Sequence, residues 1–250
     1  MKKLENKIAV VTGGNSGIGF ATAKLFALEG AKVAITGRNS VTINEAVEQI
    51  GHGSIGLVSD AGNIDGISSA YEDITSKLEG KIDVLIVNAG NFLGAPLTDF
   101  TEDLFDQTVN INFKGVFFAV QRALPFLNDG ASIVLTSTAL NEKGLGMAAA
   151  YSASKAAVRS LARSFSSELL SRNIRVNVMS PGAIDTPLFA RTGGSKEEVD
   201  GAKAYFASAA PAKRLGTVDE IAAGFLYLAS DDSRYMIGGE LVLDGGVKTL

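Results

Sequence analysis

The chain contains no cysteine, which excludes disulfides, thiolate nucleophiles and cysteine metal sites. A cytoplasmic setting fits that absence. Histidine is almost as scarce, since His52 is the only one. A Ser-His-Asp triad would have to use it, and a multi-histidine metal site cannot be built, so no metal is expected. His52 falls between a helical pattern and a strand and is given no role. Long hydrophobic runs are also missing: nothing approaches the ~20 apolar residues of a membrane span. At the start, two lysines precede an apolar stretch, but Glu5, Asn6 and Lys7 interrupt it. Ile8–Val11 is too short for the core of a signal peptide. Charge of one sign does not dominate either. Lys and Arg number 23 against 27 Asp and Glu, a net −4 spread along the chain, whereas a nucleic-acid footprint needs clustered Lys and Arg. The expected molecule is soluble and cytoplasmic, and binds neither nucleic acid nor membrane.

What is present is a core. Of 250 residues, 46% are hydrophobic, enough to fill one large domain. Apolar runs at Ile8–Val11, Lys32–Thr36, Ser54–Ser59, Asp83–Asn88, Ser132–Thr136, Arg175–Met179 and Glu240–Leu243 are nearly continuous, as in strands covered on both faces. Amphipathic stretches lie between them, at Ile18–Glu29, Ser40–Ile50, Ile64–Leu78, Glu102–Leu127, Tyr151–Arg172 and Val218–Ala229. This alternation predicts an α/β fold: one doubly wound domain over residues 1–250, with a parallel seven-stranded sheet and helices on both faces. Leu188–Lys213 lacks a strand pattern and mixes Gly, Ser and Lys with apolar residues; it reads as an insertion or substrate lid.

The first strand ends in TGGNSGIG, Thr12 to Gly19, and opens into a helix. A helix N-terminus offers unpaired N–H groups and the positive end of the dipole, which suits a phosphate. Gly13 permits the turn, Gly17 lets the backbone approach a pyrophosphate, and Gly19 lets helix and strand pack closely. Asn15, Ser16 and Ile18 fill the loop between them. An ordinary strand–turn–helix connection would use glycines too.

The Gly13, Gly17, Gly19 spacing resembles the loop of the short-chain dehydrogenase/reductase family, and the resemblance runs from Lys7 to about Gly246. Asp60-Ala61 falls where the family sets an acid beside adenine, although Asp60 also suits a helix N-cap. Asn88-Ala89-Gly90 looks like the family's turn after the fourth strand, with Val87 in place of its first Asn. Asn112, in NINFKGVF, matches the Asn of the catalytic tetrad, and Tyr151 to Lys155, YSASK, matches the active-site YxxxK. Pro181-Gly182, with Ile184 and Thr186 beyond, matches the segment that holds the nicotinamide carboxamide. The resemblance implies a Rossmann fold, a nicotinamide cofactor and a homotetramer built through the long helices and the last strand.

Individually these residues have plainer readings. A Tyr and a Lys four apart can simply share a helix face, and Asn112 can satisfy backbone groups where a helix kinks. As chemistry, carbonyl reduction needs a hydride to carbon and a proton to oxygen. A free Tyr has a pKa of about 10, and a nearby ammonium, such as Lys155 one turn away, together with the cofactor's positive charge favours its phenolate and lowers that value. The resemblance gives Lys155 a second bond, to the nicotinamide ribose, and gives Asn112 a water in a proton relay. The family's substrate-binding Ser lies thirteen residues before the Tyr. Here that position is Thr138, with Ser137 beside it; register favours Thr138, a hydroxyl makes the same bond from either residue, and both stay open.

The second strand ends AITGRN. An NAD-binding member usually carries an acid there for the ribose 2′-OH. Gly37 stands in its place and Arg38 follows, ready for a 2′-phosphate, so NADP(H) is expected over NAD(H). Loop residues Phe92, Leu93, Leu145, Met147, Leu188, Phe189, Tyr205 and Phe206 are mostly apolar and carry no cation, which predicts a neutral, fairly hydrophobic ketone or secondary alcohol. Lys196, Lys203, Lys213 and Arg214 near the lid leave open a 3-oxoacyl reductase acting on an acidic carrier protein. A non-catalytic NADP(H)-binding sensor on the same fold is the alternative outside enzymology.

Overall fold

The computed structural model describes residues 2–191 and 195–250. Thr192, Gly193 and Gly194, inside the expected lid, lie outside the described residues. The strands are β1 (Ile8–Thr12), β2 (Lys32–Gly37), β3 (Ile55–Val58), β4 (Ile82–Val87), β5 (Leu127–Thr136), β6 (Arg175–Pro181) and β7 (Glu240–Leu243). They form one sheet in the order β3-β2-β1-β4-β5-β6-β7, with every pairing parallel. The helices are α1 (Gly17–Leu28), α2 (Ser40–Ile50), α3 (Ile64–Lys77), α4 (Glu102–Val109), α5 (Gly115–Ala123), α6 (Ala149–Leu169), α7 (Leu188–Arg191), α8 (Lys196–Ala209) and α9 (Val218–Ala229).

Strand β1 shows why the runs are continuously apolar. Ile8 and Val10 enter the core beneath α3, α5 and α6, with Ile74, Val120 and Val158. Ala9 and Val11 enter the opposite core, with Phe26 of α1, Ile43 of α2 and Phe225 of α9. Successive side chains point to opposite faces, and both faces are dry. The chain crosses to β2 and β3 on one side of β1 and to β4 through β7 on the other. The carboxyl ends of β1 and β4 therefore flank the point where strand order reverses, the usual place for a ligand cleft.

Two stretches differ from the sequence reading. The helical pattern Glu102–Leu127 is not one helix. It runs through α4, a π-helical turn at Asn110–Lys114 and α5, and stops at Ala123, before the short 3₁₀ turn Leu124–Phe126. Pro125 disfavours helix at the residue before it, and Leu127 already belongs to β5. The Leu188–Lys213 stretch contains α7 and α8, the latter opened by a capping box in which Ser195 Oγ accepts from Glu198 N and the Glu198 carboxylate accepts from Ser195 N.

Candidate active site

The cleft begins at the end of β1. Thr12 Oγ1 accepts from Asn88 N (2.9 Å) and Ala89 N (3.1 Å), and Asn88 Nδ2 donates to Thr12 O (3.1 Å) and Gly13 O (3.3 Å). The turn after β4 is thereby stitched to the glycine loop. Gly13 has φ +65, the left-handed region that favours glycine. A Cβ on Gly19 would stand 2.2 Å from Gly13 O, so α1 seats against the loop only with glycine there. Ser16 is the N-cap, in extended conformation, and the first turn of α1 carries no acid. Thr186 approaches Gly17 from across the cleft, 3.5 Å from where a Cβ would be. At β6, Gly182 N donates to Leu243 O (3.0 Å), leading the chain through Ile184 to Thr186.

Asn15 Nδ2 donates to Thr42 Oγ1 (2.8 Å), and its carboxamide lies over Gly37, where a Cβ would come within 2.8 Å of Asn15 Oδ1. Arg38 is exposed and forms no ion pair among the described residues. Asp60 is not a helix N-cap: Asn63 caps α3, and Asp60 Oδ1 accepts from Gly62 N (2.9 Å) in the turn before it. Asp60, Ala61 and the other expected cofactor residues line a single cleft of about 1520 Å³, except Gly19, which lies beneath it. A dinucleotide fits such a floor: glycines where side chains would intrude, and a helix N-terminus open at mid-cleft.

The proposed catalytic side chains converge on the same cleft. Asn112 sits in the π-helical turn, fully buried. Its Oδ1 accepts from Asn91 N and its Nδ2 donates to Asn91 O, both at 2.9 Å. A Cβ on Gly90 would stand 3.0 Å from Asn112 Oδ1 and 3.3 Å from Lys155 Nζ; glycine lets both groups close in. Gly115 does the same for the helix, since a Cβ there would collide with Ala61 O. Lys155 is 3% exposed and donates from Nζ to Thr136 O (2.9 Å). Burial lowers its pKa to about 8. Its Nζ lies 5.9 Å from the centre of the Tyr151 ring.

Burial pushes the Tyr151 phenol above its ordinary value, and the Thr138 side chain near it opposes that shift; Thr138 Oγ1 also accepts from Leu140 N (3.3 Å). The sequence reading expected the ammonium and the cofactor's positive charge together to favour the phenolate; burial acts in the opposite direction. Ser137 faces elsewhere, its Oγ donating to Lys155 O (2.8 Å) and accepting from Asn141 Nδ2 (3.1 Å). Phe92 packs edge-on against Tyr151 with ring centres 5.1 Å apart.

Leu93, Leu145, Met147, Leu188, Phe189, Tyr205 and Phe206 line the far end of the cleft, with Phe206 stacked edgewise on both Phe189 (5.8 Å) and Tyr205 (5.4 Å). Lys143, absent from the sequence expectation, also lines it, held by Val247 O at 3.1 Å. Of the four bases near the lid, Lys203 is paired with Asp185 (2.7 Å) and Arg214 with Glu220 (2.6 Å), while Lys213 donates to Ser208 O (2.9 Å). Lys196 opens α8 beside Glu197 and Glu198. Asn91 was missed as the partner of Asn112, although it directly follows Asn88-Ala89-Gly90. Among the described residues, no helix is long and apolar enough to cross a membrane, and no group of three or more acids or histidines could hold a metal ion.

The profile of the family described as enoyl-(acyl carrier protein) reductase matches residues 13–248. The chain is 36% identical to the oxidoreductase asL5 of Sarocladium schorii, covering 99% of this chain and 98% of that protein. It is 35% identical to the 3-oxoacyl-[acyl-carrier-protein] reductase FabG of Thermotoga maritima, covering 98% and 99%. A short-chain dehydrogenase/reductase structure from Serratia marcescens superposes with a TM-score of 0.90 at 30% identity, over 99% of this chain and all of that one. Near-complete coverage by sequence and by fold leaves one conclusion: the chain belongs to the short-chain dehydrogenase/reductase family of nicotinamide-dependent oxidoreductases.

Proposed function

We propose that the chain transfers hydride reversibly between NADP(H) and a neutral, fairly hydrophobic ketone or secondary alcohol, with Tyr151, Lys155, Thr138 and Asn112 as its machinery. The observation that carries this is the convergence of Tyr151, Thr138 and the buried Lys155 on one cleft, with Lys155 Nζ 5.9 Å from the centre of the Tyr151 ring. When bound along the glycine loop, the nicotinamide cofactor would supply the hydride chemistry. Thr138 donates a hydrogen bond to the substrate oxygen, and Tyr151 gives that oxygen a proton in reduction and removes one in oxidation. Lys155 stabilises the phenolate and would hold the ribose of a bound cofactor. Asn112, clamped to Asn91, fixes the turn behind Lys155 through which a water returns the proton. The apolar wall from Phe92 to Phe206 receives the substrate body, beneath Leu188–Lys213 as a lid.

NADPH oxidation with a panel of ketones tests the reading. Cofactor binding without turnover on any of them would instead indicate a sensor. Thr138→Ala should lower kcat by about 100-fold, the loss typical of an oxyanion donor. Ser137→Ala should lose less, because that hydroxyl bonds the Lys155 carbonyl; the reverse order would move the role to Ser137.

Support for NADP(H) comes from Arg38, exposed without an ion pair among the described residues, and from the absence of an acid at Gly37. A charge-assisted bond contributes about 1.5–3 kcal/mol. Arg38→Ala should therefore raise the KM for NADPH by roughly 10- to 100-fold and leave that for NADH nearly unchanged. Wild-type turnover with NADH equal to or better than that with NADPH would refute the preference.

Lys143 on the cleft wall and the relationship to a 3-oxoacyl-carrier reductase favour a second reading, reduction of carrier-bound acyl groups. The ion pairs of Lys203 and Arg214 leave few bases for an acidic carrier. Acetoacetyl thioesters tested against aryl ketones separate the two. For assembly, exposed Phe105 and Phe117 on the α4–α5 flank and Tyr235, Ile237 and Leu250 near β7 supply apolar surface for a cytoplasmic homotetramer. Light scattering should give four times the chain mass.

A further inference from the structure

Behind the active site, four charged side chains close a ring that the chemistry above does not use. Arg159, one turn beyond Lys155 on α6, pairs with Glu142 and, through Nε, with Glu240 Oε2 (2.8 Å). Lys248 pairs with Glu142 (3.2 Å) and Glu240 (3.1 Å). The ring joins three parts of the chain: the loop that follows Thr138, the helix that carries Tyr151, and β7 with the tail beyond it. Glu240 is its inner member, with a side chain only 12% exposed. Its second oxygen, Oε1, accepts from Asn141 Nδ2 and Ser180 Oγ, both at 2.6 Å. Asn141 Nδ2 also reaches Ser137 Oγ (3.1 Å), which in turn donates to Lys155 O (2.8 Å).

A partly buried ion cluster is a poor source of stability, because desolvation and solvent screening offset the attraction. What such a cluster does provide is a single geometry. Burial would raise the Glu240 carboxyl, yet the bonds from Ser180, Asn141 and Lys248 outweigh it and hold the group below its ordinary value, so the ring stays charged. Each bond from Glu240 through Asn141 and Ser137 ends on the backbone of α6 one turn past Tyr151. Thr138 lies in sequence between Ser137 and Asn141, the two loop members of that chain.

We propose that Glu240 is a positioning residue which, through Asn141 and Ser137, fixes the 138–147 loop against α6 so that the Thr138 hydroxyl meets Tyr151. Its catalytic meaning rests on the function proposed above; the mechanical link does not. Hydrogen exchange on the full chain reads the link without turnover, because Leu140, Asn141, Lys143 and Ala148 all carry bonded amides within this loop or at its end. In Glu240→Val, exchange across 138–148 should rise by about 10-fold or more, while the glycine loop at 13–19 keeps its protection. Kinetically, kcat should fall roughly 10- to 100-fold, as for a misplaced catalytic group, with the KM for NADPH unchanged. Glu240→Gln retains an oxygen for Asn141 and Ser180 and should restore most loop protection. Asn141→Ala leaves the four charges in place and should loosen the same loop, which covers the case of Glu240→Val failing to fold. Unchanged exchange in the 138–148 loop of either Glu240→Val or Asn141→Ala would overturn the proposal, as would a rise spread equally over residues 13–19. If the wild type reduced no ketone, the proposed function would fail, and the exchange result would still decide the positioning role.

Discussion

Tyr151→Phe should abolish turnover while the dinucleotide still binds. The substitution removes one oxygen and keeps the ring, so the edge contact with Phe92 survives, and Lys155 keeps its bond to Thr136 O. The bonds of Thr12, Asn15 and Asn88 run to Asn88, Ala89, Thr42, Thr12 and Gly13, and none of them uses the phenol oxygen. The Kd for NADPH, read by fluorescence titration, should stay within about 3-fold, under a kcal/mol. General acid catalysis contributes typically 10²–10⁴-fold, and loss of the proposed proton donor should cost about 10³-fold in kcat. The pH dependence gives an independent check. Alcohol oxidation needs the phenolate, and burial raises the Tyr151 phenol, so the oxidation rate should climb with pH through the alkaline range. That climb should be missing from any residual activity of the Phe variant. A Phe variant with more than a tenth of wild-type kcat would refute the assignment of Tyr151.

Much of this was legible in the sequence, for identifiable reasons. A strand buried on both faces must be apolar at every position, so Val10 and Val11 announce β1 without alternation. The Tyr151–Lys155 spacing places both side chains on one helical face whatever surrounds them. Other features hide. The π-helical turn at Asn110–Lys114 adds no residue type that marks it, and the apolar pattern of Glu102–Leu127 runs on across it. Thr138 and Ser137 are adjacent hydroxyls; only the direction of each side chain separates the one near Tyr151 from the one on the Lys155 carbonyl, and direction is a tertiary property. Helix α8 has no fully buried residue, and its half-buried Val199, Ala202 and Phe206 form only a short apolar stripe, although its Ser195–Glu198 capping box could have been read. Glu240 stands as a lone charge at the head of β7. Its partners Asn141 and Ser180 are 99 and 60 positions away, beyond any local pattern.

Lys155→Met should stop catalysis and stabilise the fold together, which separates a functional lysine from a structural one. Lys155 is 3% exposed, and the bond to Thr136 O is the hydrogen bond its ammonium makes. Depression from 10.5 to about 8 corresponds to roughly 3 kcal/mol borne by the charged form in the folded state. Methionine fills similar volume without a charge. Leaving Thr136 O unpaired takes back about 1–2 kcal/mol, so the variant should gain about 1–2 kcal/mol at pH 7. The sign of the pH dependence follows from linkage. Between pH 8 and 10.5 the unfolded chain holds a proton on Lys155 that the folded chain has released, so this group makes wild-type stability rise with pH across that window. Below pH 8 both states are protonated and the full cost remains; above 10.5 neither is and the cost is gone. The difference between variant and wild type cancels the other titrating groups. It should therefore shrink steadily from pH 8 to 10.5 in denaturant melts, while kcat at pH 7 stays at least about 10³-fold below wild type. A variant less stable than wild type at pH 7, with a difference flat across the window, would mean that the ammonium is satisfied in the fold and that Lys155 is held there for structure rather than for chemistry.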